Sequence, residues 1–142
     1  MFVAEILKTK GNAVYSITAD VTVARACQAL DAKRVGALVV QNGDAVVGVF
    51  SERDVVKAVA ADGPKALARA VQDYMTAKVI FAQPRESLST VMSRMTDRRI
   101  RHLPVLDGET LVGVVSIGDL VKRQIEEHAR EAESLKTYIA AG

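Results

Sequence analysis

The sequence repeats itself once. Gly48-Val49-Phe50-Ser51-Glu52-Arg53-Asp54-Val55-Val56-Lys57 returns as Gly113-Val114-Val115-Ser116-Ile117-Gly118-Asp119-Leu120-Val121-Lys122, a displacement of 65 positions. Without a gap, the same displacement pairs Val14 with Val79, Arg34 with Arg99, Leu38 with Leu103, Val40 with Val105 and Gly43 with Gly108. Identity, apolar pattern and turn position agree in one register, which marks a duplicated structural unit. Each half alone is too short to bury a sufficient core, so the two must fold together.

Each copy opens with a short apolar stretch, Val14 to Ile17 or Val79 to Ala82, read as a strand. A helix follows, begun by Thr22 or Ser87, whose hydroxyls suit an N-cap. Helical spacing of Val23, Ala26, Cys27 and Leu30, and of Leu88, Val91, Met92 and Met95, supports both helices. Two β-rich runs come next in each copy: Ala37 to Gln41 with Ala45 to Phe50, and His102 to Leu106 with Thr110 to Val115. Between them lie Asn42-Gly43-Asp44 and Asp107-Gly108-Glu109, turn residues that tolerate positive φ. Second helices start at Glu52 and Ile117.

The unit is therefore strand, helix, hairpin, helix. Two such units predict an α+β fold with its halves packed face to face about a pseudo-twofold axis. Asp62-Gly63-Pro64 interrupts the chain between them. The organisation expected is an N-terminal helical segment over residues 1–10, a first repeat over 11–62, a linker over 63–76, a second repeat over 77–124 and a helical extension over 125–142. Ile117 to Ala140 reads as one long helix rich in Ala, Glu, Lys and Arg. Its apolar residues Ile125, Leu135, Tyr138 and Ile139 form an imperfect stripe, leaving two roles open: a dimer contact, or cover for the chain's own core.

Composition narrows the functional classes. Apolar residues make up 49% and charged residues 25%, so the chain can bury a real core; with aromatics at 4% and no Trp, that core is aliphatic. The net charge of +2 is small and the basic residues are dispersed, which gives no compositional case for nucleic acid. Cys27 is the single cysteine, excluding an internal disulfide and a cysteine-rich metal site, and it reads as a small apolar helix residue in a reducing compartment. The N-terminus carries Glu5 early and lacks a signal-peptide pattern, and no apolar run is long enough for a bilayer; a cytoplasmic protein without membrane attachment is expected. His102 and His128 have no metal-ligand spacing, and no set of nucleophile, base and orienting group stands out, so no catalysis and no required cofactor are expected.

The sharpest chemical signal is Gly-x-x-Ser-x-x-Asp, present at Gly48, Ser51 and Asp54 and again at Gly113, Ser116 and Asp119. At a strand-to-helix junction this is a helix cap in which the serine oxygen accepts an amide hydrogen bond and the acid favours the helix start. The same helix start offers free N–H groups to a phosphate, and an aspartate can accept both hydroxyls of a ribose. The two roles are compatible, and duplication in register favours a ligand.

Two copies of this element, each after a hairpin, with Arg101-His102-Leu103-Pro104-Val105 in the second, resemble a tandem CBS-domain pair over roughly Gly11 to Gln124. The resemblance implies a freestanding, non-catalytic sensor holding AMP, ADP, ATP, NAD or S-adenosylmethionine between the repeats. It implies ribose ligation by Asp54 and Asp119, phosphate neighbours at Ser51 and Ser116, and adenine walls at Tyr15, Ile17, Thr18, Ile80 and Phe81. It also turns Arg101, His102 and Pro104 toward the cleft, where a guanidinium can pair with phosphate. The first repeat has Gly36-Ala37 at the matching place, so the clefts are unequal; Arg53 is the candidate to compensate. A homodimer arranged as a flat disc of four repeats, acting in trans on another protein, follows from the same resemblance.

Lys33-Arg34 and Arg98-Arg99 read as basic helix ends that suit the helix dipole. The competing reading is an RNA-binding module built on Arg94, Arg98, Arg99 and Arg101 in the second repeat; few stacking aromatics and no recognised RNA-binding motif count against it.

Overall fold

A hydroxyl starts the first helix of each repeat. Thr22 Oγ1 accepts the Arg25 amide at 3.2 Å and Ser87 Oγ accepts the Thr90 amide at 3.2 Å. Those helices, α2 (Val23–Lys33) and α4 (Leu88–Arg98), end on Arg34 and Arg99, both in the left-handed region at φ 54°. The hairpins are β2 (Ala37–Asn42) with β3 (Ala45–Ser51), and β4 (His102–Asp107) with β5 (Thr110–Ser116). They lead into α3 (Glu52–Asp62) and α5 (Ile117–Ala141). An N-terminal helix α1 (Val3–Lys10), a short strand β1 (Ser16–Ile17) and two 3-10 turns (Gly63–Ala68, Val71–Asp73) complete this α+β computed structural model, which describes residues 1–141.

Both hairpins turn through Gly43-Asp44 and Gly108-Glu109, with only the glycine at positive φ, 61° and 64°. That is the pattern of a type II′ turn, and it leaves Asn42 and Asp107 paired inside the strands. In each hairpin the pairing shifts register at the same place, between Val40 and Gln41 and between Val105 and Leu106.

The two halves differ at one strand. In the first, β1 runs parallel to β2, and the Val39 amide donates to the Tyr15 carbonyl at 3.1 Å. In the second, Val79 to Ala82 is not the strand expected from its apolar character, for only Ala82 pairs with Val105. The cause is Pro104, which occupies the place of Val39 and has no N–H to donate to Ile80, the counterpart of Tyr15. The bonds that do not need this N–H persist: Ala82 N–H to the Pro104 carbonyl, 3.0 Å, and Leu106 N–H to the Ala82 carbonyl, 2.9 Å.

Two largely aliphatic cores form, one per repeat, the first with the aromatic Phe50 buried in it, and each is completed by the segment preceding the other repeat. Val3 and Ile6 of α1 are buried among Leu88, Val91, Leu103 and Leu120 of the second half. Val71, from the segment between the repeats, is buried among Val23, Leu30, Leu38 and Phe50 of the first. Glycine lets these crossing segments pass closely: a Cβ at Gly113 would lie 2.6 Å from Leu7 Cδ2, and one at Gly48 would lie 2.6 Å from Met75 Sδ and 3.1 Å from the Thr76 carbonyl, so a side chain there would have to displace its neighbour. Cys27 is half-buried against the first core, and burial pushes its thiol up.

Candidate functional site

The Ser-x-x-Asp elements form reciprocal helix caps. In α3, the Ser51 amide donates to Asp54 Oδ2 at 2.9 Å while the Asp54 amide donates to Ser51 Oγ at 3.3 Å. In α5 the same bonds join Ser116 and Asp119 at 2.9 and 3.1 Å. Both helix starts thus place a serine hydroxyl and a carboxylate at the end of a hairpin, facing the segment that crosses from the other half.

What reaches each carboxylate differs. Asp54 is 7% exposed, and Thr76 Oγ1 stands 3.4 Å from its second oxygen. Asp119 is more open and holds a cation: Lys10 Nζ lies 2.6 Å from Oδ2, with a second hydrogen bond of 2.9 Å to the Val114 carbonyl. Burial pushes the Asp119 carboxyl up, but the Lys10 ammonium and the Ser116 hydrogen bonds together outweigh it and hold the group below its ordinary value. Neither Lys10 nor Thr76 stands out in the sequence as a site residue. Continuing the repeat register backwards from the matched strands puts Gly11 opposite Thr76, with Lys10 immediately before; that was the available signal.

The basic residues divide between two places. Arg53 crosses to the second half, where its Nη1 donates to the Arg99 carbonyl at 3.2 Å. There Arg53, Arg99 and Arg101 line a depression of about 260 Å³ floored by Met95, Ile100 and Ile117. His102 instead faces the junction of the halves: a Cβ on Gly36 would meet Glu52 Oε1 at 2.8 Å and His102 Nε2 at 2.9 Å. Burial pushes the imidazole below its ordinary value, against the pull of the Glu52 and Asp119 carboxylates. The Arg101 and His102 side chains, adjacent in sequence, are therefore divided between the arginine depression and this junction.

The candidate adenine walls lie on both halves. Ile17 packs on the first core; Tyr15 is exposed beside Lys33, whose Nζ is 5.2 Å from the ring centre; and Thr18 Oγ1 donates to Asp20 at 2.5 Å. Ile80 packs on the second core, Phe81 is half-buried and its carbonyl accepts Arg94 at 2.8 Å, and Pro104 is buried. Arg94 is also paired with Glu86, which makes it a strut of its own repeat.

The family model of the CBS domain matches residues 3–61 and 71–126. The chain is a tandem pair of CBS domains. This CBS pair is 35% identical to the mitochondrial CBS domain-containing protein CBSX3 of Arabidopsis thaliana, over 99% of this chain and 72% of that one. A CBS-domain containing protein of Agrobacterium tumefaciens superposes with a TM-score of 0.86 at 39% identity, covering 87% of this chain and 99% of that one. The fold is also shared, at 22% identity and a TM-score of 0.79, with the CBS domain pair of protein MJ0100, solved in complex with 5′-methylthioadenosine and S-adenosyl-L-methionine; the match covers 89% of this chain and 98% of that one. As a CBS pair the chain is a regulatory module. Among its described residues no helix is long and apolar enough to cross a membrane.

Proposed function

We propose that this CBS pair senses an adenine nucleotide, AMP, ADP, ATP or NAD, without turning it over and with no cofactor of its own. Asp119 and Asp54 serve as ribose anchors beside Ser116 and Ser51, and Arg53 and Arg101 supply charge for phosphate. The observation that carries this reading is Lys10 seated on Asp119 at the start of α5. A ribose can take over the carboxylate while a phosphate takes over the ammonium, so one ligand replaces both halves of the ion pair.

Base selectivity has a physical support in Pro104. Among the described residues the Ile80 carbonyl receives no counterpart of the Val39–Tyr15 hydrogen bond. A free carbonyl at the edge of an adenine wall accepts from the 6-amino group of adenine and repels the 6-oxo group of guanine. The working unit is proposed to be a homodimer acting in trans on a separate protein, cytoplasmic in location.

The test is a melting series with the purified protein. AMP at about a hundred times its dissociation constant should stabilise the fold by roughly 2.7 kcal/mol. GMP at the same concentration should give a distinctly smaller shift. Equal shifts with the two would remove base selectivity, and no shift with any adenine nucleotide would remove the sensor reading.

A further inference from the structure

Beyond its first turns, α5 leaves the body of the molecule: Leu120 is buried and Glu127 half-buried, whereas every residue from 128 to 141 is exposed. Leu120, Arg123 and Glu127 define the face turned toward the chain's own body, with Arg123 Nη2 held 3.1 Å from Glu5 of α1. A different line of residues runs the length of the helix: Val121, Ile125, His128, Ala132, Leu135 and Ile139. Its spacing alternates four and three without a break, the period of a coiled-coil seam. At 100° per residue, this line lies roughly 130° around the helix from the body-facing one, so it does not cover the chain's own core. Ile125, Leu135 and Ile139 are 62%, 60% and 68% exposed, a large apolar loss for a helix with no partner.

We infer that this seam pairs with the same helix of a second copy as a parallel, in-register, two-stranded coiled coil. The inference rests on the homodimer reading and adds where the copies meet and in which direction. Charge decides the direction. With Ile125, Ala132 and Ile139 at a positions and Val121, His128 and Leu135 at d, Glu131 falls at g and Lys136 at e, five residues later. In a parallel pair each Glu131 meets the partner subunit's Lys136, twice by symmetry; in an antiparallel pair like charges would meet instead. The Glu127–Arg130 ion pair, 3.3 Å, lies on the side of the helix away from the seam and is left intact.

His128 and Ala132 weaken the middle of the seam, the first by placing a polar group and the second by placing little apolar area at core positions. A coil of three heptads is marginal alone. Tethering to two repeat bodies raises the effective concentration of the helices. Val56 of α3, 68% exposed and equivalent to Val121 under the repeat, extends the apolar surface toward those bodies.

The experiment uses the full chain with Cys27→Ala, so that only an introduced thiol can cross-link. Leu135→Cys, at d, should form a disulfide-linked dimer under mild oxidation at least ten times faster than Thr137→Cys, on the outer face. Glu131→Lys should weaken the dimer about tenfold, as expected when two exposed attractions become repulsions, and Glu131→Lys with Lys136→Glu should restore it to within about twofold. A dimer by light scattering without preferential cross-linking at 135 would overturn the seam and leave the homodimer standing. A monomer by the same measurement would sink both, and a charge swap that fails to restore would overturn the parallel direction.

Discussion

Replacing Lys10 with alanine separates a competitor of the ligand from a mere strut. In the free protein the ammonium makes two bonds, 2.6 Å to Asp119 and 2.9 Å to the Val114 carbonyl. The two side chains of the ion pair are 38% and 25% exposed, so solvent screening limits the pair to about 0.2–1 kcal/mol of folding stability. The cap bond from the Ser116 amide keeps the carboxylate in place after the substitution. Adenosine, which has hydroxyls but no phosphate, should then bind up to about fivefold more tightly, because it no longer displaces a cation worth as much as 1 kcal/mol. AMP should move the other way. It loses a charge-assisted phosphate contact of about 1.5–3 kcal/mol, more than the competition it is spared. Calorimetric titration of both ligands into wild type and Lys10→Ala, at two salt concentrations, reads the crossover directly. If both affinities change in the same direction by the same factor, Lys10 is a strut and the exchange mechanism is wrong.

The other outcomes are simpler to read. Asp54→Ala should destabilise the ligand-free fold more than Asp119→Ala, by about 1–3 against about 1 kcal/mol, because Asp54 is nearly buried and leaves the Ser51 amide without its acceptor; urea melts rank the two, and the reverse order refutes the burial argument. Arg34→Gly should raise stability by about 0.5–1 kcal/mol, since a side chain at φ 54° is strained where glycine is not; an unchanged urea midpoint counts against it. The depressed His102 pKa means the unfolded chain takes up a proton before the folded one, so stability should fall as pH drops from the ordinary histidine range through the folded value. In His102→Gln that decline should shrink, and a pH profile identical to wild type would assign it to other groups.

Much of this architecture is legible locally. Thr22, Ser87 and the Ser-x-x-Asp elements announce their helix starts because a cap needs only residues within one turn, and Gly43 and Gly108 announce hairpins for the same reason. Val79 to Ala82 misleads because its fate depends on Pro104, whose missing N–H belongs to a neighbouring strand rather than to the apolar pattern itself. Lys10 is invisible as a partner of Asp119 because 109 positions separate them and α1 crosses to the far half. Leu135 and Ile139 look like an imperfect stripe when judged by large apolar residues alone; including the polar His128 and the small Ala132 makes the seven-residue period plain.

Asp119 and the proposed seam share one rigid element, and this has a measurable consequence. The carboxylate sits in the first turn of α5, and a helix of 25 residues rises about 1.5 Å per residue, so a tilt of only about 5° at the cleft displaces its far end by roughly 3 Å. Lys10 and Glu5 bind the same helix from α1, at Asp119 and Arg123. Exchange of Lys10 for a ligand therefore relaxes one of the two ion pairs that tie α5 to α1. If the angle of α5 against the second repeat differs between liganded and free protein, AMP must change the dimer dissociation constant, and linkage requires dimerisation to change AMP affinity by the same factor. Sedimentation with and without AMP gives the first factor, and titration of AMP into dilute and concentrated protein gives the second. The expected coupling lies in the ordinary range of about 5- to 150-fold. It should collapse in Lys10→Ala, where the ion pair is already gone. A dimer constant indifferent to saturating AMP would show that the cleft and the helix are mechanically separate, whatever the cleft binds.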